Sequence, residues 1–126
     1  MERSAYGFIH CHSDHSLKDS PLKISQLCEG AKKMGASAVT LTDHGTCTGW
    51  IEFLNTCKKM GLNGIPGVEA YVRTEYAGRA HLVLLAKNYA GYQEIARAVT
   101  ESNKHLESVG GLLQPIMDKK ILTEYF

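Results

Sequence analysis

The sequence predicts an α/β fold built from parallel βα units. Short apolar segments alternate with amphipathic segments of about a dozen residues, as in strands joined by helical crossovers. The 126 residues suit one domain, because two domains of half that length would each bury too little surface. Hydrophobic residues make up 44% of the chain and charged residues 21%, which is typical of a folded domain rather than a disordered one.

The first predicted unit is a strand from Tyr6 to His12 followed by a helix from about Pro21 to Met34. Ser20 is a good N-cap residue, and proline is favoured at the first helical position. Gly35 ends the helix in the usual C-terminal position. The helix should bury one face, because its apolar residues recur at helical spacing: Ile24, Leu27, Cys28, Ala31 and Met34.

A second unit repeats this order. Ala38 to Thr42 is predicted as a short buried strand, and Thr48 to Met60 as a helix that Gly61 ends. Gly64 to Val72 is predicted as the third strand. The alternation of strands and helices therefore continues through the first half of the chain.

The rest of the chain is predicted with less detail. A turn at Glu75 to Arg79 precedes a strand from Ala80 to Ala86, and Asn88 caps a helix that runs to about Leu106. Gly110-Gly111 interrupts the chain, and the tail that follows is expected to hold a short helix from Asp118 to Tyr125. Three or four of the strands are expected to pair in parallel through βα crossovers.

Length leaves two architectures open. A closed (β/α) barrel typically needs about 200 or more residues. The chain therefore forms either a small open α/β sheet or part of a barrel. Residues 1–126 are expected to be a single domain, since no linker or low-complexity segment divides them.

Composition excludes several classes of protein. The net charge is +1, so no overall basic field indicates a nucleic-acid-binding domain. No apolar run approaches the ~20 residues of a membrane span, and the N-terminus lacks the apolar core of a signal peptide. A cytoplasmic location is expected, with four cysteines as reduced thiols: Cys11, Cys28, Cys47 and Cys57.

Metal-ligand residue types recur at the predicted strands. His10 and His12 are two apart, so both imidazoles should project to one side while Cys11 points to the other. An isolated His-x-His pair is more often two polar residues near a loop. Here, however, each of the next three strands also carries a histidine or a glutamate. Together with one loop aspartate they form a candidate set for zinc, manganese or iron: His10, His12, Asp19, His44, Glu69 and His81.

Four segments of the chain resemble the motifs of the PHP (polymerase and histidinol phosphatase) domain family. The segment from Phe8 to Asp19 resembles its opening motif, and Leu41 to Gly45 its second. Gly67 to Val72 is similar to its glutamate strand. The run from His81 to Asn88, with Gly91-Tyr92, resembles the polymerase branch in particular, the N-terminal domain of bacterial DNA polymerase III alpha subunits (C-family polymerases).

The resemblance implies a distorted seven-stranded barrel with up to three metal ions. The residues matching His10, His12 and Glu69 would hold one ion. Glu69 and His81 would share a second, and Asp19 and His44 would hold a third. Each ion in the family also takes a ligand from a later part of the barrel. Nothing after His105 supplies one here, so the chain is expected to be the first part of the barrel, with each site one ligand short.

The implied function is metal-dependent phosphoester hydrolysis, of the 3′–5′ exonuclease or pyrophosphatase type, in a replicative polymerase. The six candidate residues would be the catalytic metal ligands, DNA or a nucleotide phosphate the substrate, and other replicase subunits the partners. Two alternatives are a stand-alone phosphatase for a small phosphate ester and a non-catalytic structural module of the polymerase. The isolated chain is expected to self-associate, because an incomplete barrel leaves a strand edge open.

Overall fold

The computed structural model describes residues 7–76 and 78–126 and confirms the α/β fold. A six-stranded sheet is combined with helices that follow its strands. The elements in chain order are β1 (Gly7–Phe8), α1 (Ile24–Lys33), β2 (Ala38–Leu41), α2 (Trp50–Met60), β3 (Asn63–Thr74), β4 (Gly78–Leu85), α3 (Tyr89–Ser102), β5 (Leu106–Val109), β6 (Leu112–Met117) and α4 (Lys119–Tyr125). In the described ranges, no helix has the length and apolar character needed to cross a membrane.

The strand β3 organises the sheet. Five strands are ordered β1-β2-β3-β6-β5, with β3 in the middle. The sixth strand, β4, also pairs with β3 but lies outside this order. Both the β1–β2 and the β2–β3 pairs are parallel, with α1 and α2 as crossovers, so the predicted βα units are confirmed. Farther along β3, Tyr71 and Val72 pair in parallel with β6. The parallel strands therefore end together at one edge of the sheet.

The strand β4 pairs with β3 in an antiparallel ladder from Gly67↔Leu85 to Thr74↔Gly78. The sequence analysis left parallel pairing open for this fourth strand, and the structure excludes it. The predicted turn before it leaves too few residues for a parallel crossover, which needs a dozen or more. Gly78, with φ 71°, begins β4, while Ala77 of that turn lies outside the described residues.

The Gly110-Gly111 pair does not simply interrupt the chain. It joins β5 and β6 in an antiparallel hairpin with Val109 opposite Leu112. Both glycines have positive φ, 57° and 81°, as a two-residue hairpin turn requires. A Gly-Gly pair between apolar residues is a known hairpin signal, so the hairpin was predictable here although only an interruption was predicted.

Several element boundaries differ from the prediction. The first strand is shorter, since β1 covers only Gly7–Phe8, and Tyr6 lies outside the described residues. Lys23 rather than Ser20 is the N-cap of α1, because Ser20 Oγ accepts a hydrogen bond from the Leu22 amide in a turn before the helix. In addition, α2 begins at Trp50 rather than Thr48, and α3 ends at Ser102, since Leu106 starts β5. Both β3 and β4 begin earlier than predicted, β3 also ends later, and β4 ends one residue earlier.

The predicted cap of α3 is confirmed, and the structure adds a second cap at α4. Asn88 Oδ1 accepts a hydrogen bond from the Gly91 amide at 3.0 Å, at the start of α3. Asp118 Oδ1 accepts one from the Ile121 amide at 2.9 Å, so α4 is the predicted short C-terminal helix. Such caps satisfy amide groups that have no partner within the helix.

The core runs from β2, β3 and the two crossover helices to α3, β6 and α4. Val39, Leu41 and Phe53 are fully buried in it. Trp50 Nε1 donates to the Gly67 carbonyl at 2.8 Å, which joins the start of α2 to β3. A Cβ at Gly67 would lie 2.5 Å from the Leu84 carbonyl oxygen, so only glycine allows β4 to approach here. This packing fixes β3, and with it the functional side chains that β3 carries.

Candidate metal centre

Four imidazole rings surround one carboxylate at the edge where the parallel strands end. Glu69 Oε2 lies 2.6 Å from His10 Nε2, 2.9 Å from His12 Nε2 and 3.6 Å from His44 Nε2. Glu69 Oε1 lies 2.9 Å from His81 Nδ1. The Glu69 side chain is only 7% exposed, and a buried carboxylate is costly unless it has such partners.

The segment after β1 positions His10 and His12. The Cys11 carbonyl accepts a hydrogen bond from the Thr42 amide at 2.8 Å, and the Cys11 amide donates to Thr42 Oγ1 at 2.9 Å. These bonds keep the segment beside β2 although the strand itself has ended. As predicted, both imidazoles point to one side, and their Nε2 atoms are 3.1 Å apart.

Hydrogen bonds between the chain after β2 and the middle of β3 position His44 and Glu69. The Glu69 amide donates to the Asp43 carbonyl at 3.1 Å, and the Gly45 amide donates to the Glu69 carbonyl at 3.0 Å. Gly45 has φ 60°, and a Cβ there would lie 2.9 Å from Pro115 Cγ. The turn after His44 therefore needs glycine for its conformation and for its close packing.

The antiparallel hairpin supplies His81. In the ladder His81 is opposite Tyr71, two residues from Glu69. Because side chains in a strand alternate faces, Glu69 and Tyr71 share the face on which His81 lies. The register that the prediction missed is therefore the feature that brings this histidine to the carboxylate.

Asp19 completes the set from the loop before α1. Its Oδ2 lies 3.1 Å from His12 Nδ1 and 3.6 Å from His44 Nε2. The loop bends so that the Asp19 amide donates to the Ser16 carbonyl at 3.0 Å. Lys18, just before it, has a left-handed φ of 71°. The structure thus brings all six candidate residues to one place.

The ligand atoms form three groups in which all atoms lie within 4.8 Å of one another. The first matches the set that the family resemblance implies. Each of the other two contains an implied pair and one additional histidine. The groups are His10 with His12 and Glu69, His12 with Asp19 and His44, and His44 with Glu69 and His81.

These residues fit divalent metal ions. Ligand atoms about 2.0–2.1 Å from a tetrahedral ion are about 3.3 Å apart, close to the 2.6–3.1 Å between the atoms of His10, His12 and Glu69. Imidazole and carboxylate donors suit zinc, manganese and iron.

The surroundings favour the protonation states that metal ligands need. Burial lowers the pKa of His44, although the Glu69 charge opposes this shift. Burial tends to raise the pKa of Glu69, but the His10 hydrogen bond and nearby imidazoles outweigh it, so the pKa is lowered. Burial and the Glu69 charge raise the pKa of Tyr71, whose ring stacks on His44 at 5.3 Å. At neutral pH the Glu69 carboxylate is therefore ionised and the His44 ring is neutral.

Sequence reasoning missed a buried polar network behind the histidines. Asp43 is 2% exposed and accepts hydrogen bonds from the Ser13 amide at 2.6 Å, from Ser13 Oγ at 2.8 Å and from Ser16 Oγ at 3.1 Å. The available signal was an aspartate directly after a buried strand, which needs hydrogen-bond donors. Which donors it would find depends on the fold of the loop.

A groove of about 670 Å³ opens beside the cluster. Asp19, His44 and Tyr71 line it together with Leu112 and Leu113 of the β5–β6 hairpin. A substrate in the groove would have direct access to the candidate ligands. The β5–β6 hairpin is therefore part of the site's surroundings although it contributes no candidate ligand.

The chain is similar in sequence to bacterial proteins named DNA polymerase III subunit alpha. It is 38% identical over 133 residues to the protein of Borreliella burgdorferi, covering 98% of this chain and 11% of that protein. It is 36% identical to the Helicobacter pylori protein, over 98% of this chain and 10% of that protein. The chain therefore spans about a tenth of the length of these curated relatives.

Solved structures show the same fold. A Bifidobacterium adolescentis protein assigned as a metal-dependent phosphoesterase is 26% identical with a TM-score of 0.59, over 82% of this chain and 36% of that one. A Chromobacterium violaceum amidohydrolase, solved with sulfate and no metal, has a TM-score of 0.64 at 24% identity, over 79% of this chain and 34% of that one. The chain corresponds to part of these larger proteins.

The model of the PHP domain family matches residues 9–126, nearly the whole chain. The match includes all six candidate ligands and the elements that position them. It confirms the resemblance that the four sequence segments indicated. Sequence, fold and the arrangement of histidines around Glu69 agree, and the chain belongs to the PHP domain family.

Proposed function

We propose that this chain is the N-terminal PHP domain of a bacterial DNA polymerase III alpha subunit and that its cluster supports metal-dependent phosphoester hydrolysis. The chemistry would be of the 3′–5′ exonuclease or pyrophosphatase type, on DNA or a nucleotide phosphate, beside other replicase subunits. The observation that carries the proposal is the convergence of four imidazoles on Glu69 at 2.6–3.6 Å. The similarity to polymerase subunits supports the assignment to a replicase.

The six residues would act as ligands for up to three ions of zinc, manganese or iron. Such ions, when bound, polarise phosphoryl oxygens and activate water. Glu69 is central, because both of its oxygens face imidazoles and it belongs to two of the three groups. His10 and His12 lie on its Oε2 side and His81 on its Oε1 side. Asp19 and His44 face the groove.

The sharpest test is Glu69→Gln, which keeps the shape of the side chain and removes its charge. Removing an outer hydrogen-bond partner of a ligand already weakens metal binding about 10–100-fold. We expect a loss above 100-fold here, since the residue belongs to two groups. Two quantities are measured: the metal content of the protein after dialysis, and its rate of hydrolysis of a phosphodiester and of pyrophosphate. Glu52→Gln, on the exposed face of α2, is the matched control.

Retention of metal and hydrolysis by a folded Glu69→Gln protein would contradict the proposal. In a full-length polymerase carrying this domain, the same substitution should remove hydrolysis and leave nucleotide incorporation intact. Efficient turnover of a small phosphate monoester by the 126-residue chain alone would instead favour a stand-alone phosphatase. Metal binding without any hydrolysis would favour a structural module.

A further inference from the structure

We infer that Ser16, held by the buried carboxylate of Asp43, fixes His12 as the tautomer that carries its proton on Nδ1 and so presents a bare Nε2 to a metal ion. Ser16 is thus a positioning residue that acts through His12. The inference rests on the proposed function, because it concerns how a ligand is presented to the ion.

Ser16 Oγ is surrounded by three polar groups. It lies 3.1 Å from Asp43 Oδ1, 2.9 Å from the His44 amide nitrogen and 3.1 Å from His12 Nδ1. Ser16 is only 2% exposed, so water cannot easily replace any of these partners. The hydroxyl must therefore share its hydrogen-bonding capacity among these groups.

The proton count assigns each role. A hydroxyl has one proton to donate and two lone pairs to accept with. The Asp43 carboxylate accepts only, so it takes the hydroxyl proton. The His44 amide donates only, so it uses one lone pair of Ser16 Oγ. The remaining lone pair faces His12 Nδ1, which must be the donor.

Two further contacts support this assignment. Asp19 Oδ2, another acceptor, lies 3.1 Å from the same Nδ1 of His12. Asp43 itself cannot turn away, because Ser13 binds both of its oxygens, at 2.6 Å through the amide and at 2.8 Å through the hydroxyl. Among the described contacts, both groups that face His12 Nδ1 are therefore placed to accept its proton.

The consequence concerns the other ring nitrogen. His12 Nε2 faces Glu69 Oε2 at 2.9 Å and His10 Nε2 at 3.1 Å. With the proton held on Nδ1, only Nε2 can bind an ion. This places His12 in the group with His10 and Glu69, while its Nδ1 proton links it to Asp19. Histidine ligands commonly have their other ring nitrogen fixed in this way.

The test uses the zinc-loaded 126-residue protein, because zinc is diamagnetic, and ring-nitrogen NMR of His12. Wild type is expected to show a proton on Nδ1 that exchanges slowly with water. Ser16→Ala should weaken zinc binding about 10–100-fold and make this proton exchange rapidly. Ser102→Ala in α3 is the matched control, since it removes another buried hydroxyl, which donates to the Val99 carbonyl at 2.8 Å.

The outcomes separate this inference from the proposed function. A proton on Nε2 of His12 in wild type overturns the inference whether or not the variants fold. Equal loss of zinc affinity in the two variants, with unchanged His12 signals, also overturns it and shows a structural role. A wild-type chain that binds no zinc overturns the metal centre itself. Zinc binding that is insensitive to Ser16→Ala overturns only the tautomer assignment.

Discussion

The βα region, from β1 to β3 with α1 and α2, and the hairpin region, formed by β4, β5 and β6, bury their strands differently. Val39 and Leu41 of β2 are fully buried, because helices cover the parallel strands. In the hairpin region Leu82, Leu106 and Leu113 are 38%, 47% and 68% exposed, and only the last two residues of β6 are buried. Strands with similarly apolar sequences thus have different surroundings, and the difference follows from how they are connected.

The candidate site joins the two regions. Glu69 and the polar network around Asp43 belong to the βα region and are buried. His81 comes from β4, and its side chain is 51% exposed. The buried part of the centre therefore lies in the βα region, while the hairpin region adds a more accessible ligand and part of the groove lining.

The two regions are expected to differ most in how much a truncated side chain lowers the free energy of unfolding. Phe53 of α2 is fully buried and packs on β3 at Gly64, where a Cβ would lie 3.3 Å from its ring. Phe53→Ala should lower the free energy of unfolding by about 3–5 kcal/mol. Leu113→Ala, in the exposed hairpin, should change it by no more than about 0.5 kcal/mol. Urea unfolding measures both values.

Similar losses in these two variants would contradict the comparison. They would show that the hairpin region contributes to the core as strongly as the crossovers do. A change in the slope of the unfolding curve would have to be excluded first, since it would indicate an altered unfolded state.

Self-association should come from the hairpin region. In the described ranges β4 pairs only with β3, so its other edge is open to another strand, and unpaired edges invite such pairing. Leu82→Lys, on this strand, should weaken association of the chain at least about tenfold, because an edge lysine opposes strand addition. Light scattering over a concentration series measures the effect.

Met34→Lys at the end of α1 is the matched control, because Met34 is 58% exposed and belongs to the βα region. It should leave association unchanged. A wild-type chain that stays monomeric at high concentration would show that the edge of β4 is protected, and the expectation of an open barrel edge would be wrong.

The sequence predicted the βα region well because its signals are local. Apolar periodicity and glycine helix ends locate α1 and α2, and candidate ligands directly follow the strands. The antiparallel register of β4 was missed because the turn after β3 was recognised without its consequence for pairing. That register determines which face His81 occupies, so its place beside Glu69 could not be derived from periodicity.

The candidate ligands could be predicted from the sequence, but the hydrogen bonds that hold them in place could not. His10 and His12 were assigned to one face from strand geometry, and the structure agrees with their Nε2 atoms 3.1 Å apart. The contacts of Ser13 and Ser16 with Asp43 depend on a loop whose conformation is set by those same contacts. No residue pattern within the loop indicates them in advance.

The smallest expected effect is a dependence of stability on pH that arises in the βα region. Burial lowers the pKa of His44 from 6.5 in the folded chain, so folding favours the neutral ring. This contribution is complete above pH about 6.5 and is lost as the pH falls through the lower folded value. The pKa of Glu69 is also lowered, from 4.5, so its contribution is lost on further acidification.

The metal-free chain should therefore unfold at lower urea concentration at pH 5.5 than at pH 7.5. His44→Gln should flatten this dependence, because the glutamine does not titrate. His105→Gln, at a side chain that is 61% exposed beyond the end of α3, should leave it unchanged. Stability that rises on acidification, or a slope that follows His105 instead of His44, would show that the pH dependence does not originate at the candidate centre. The difference in burial between the centre and the hairpin region would then have no counterpart in the pH dependence of stability.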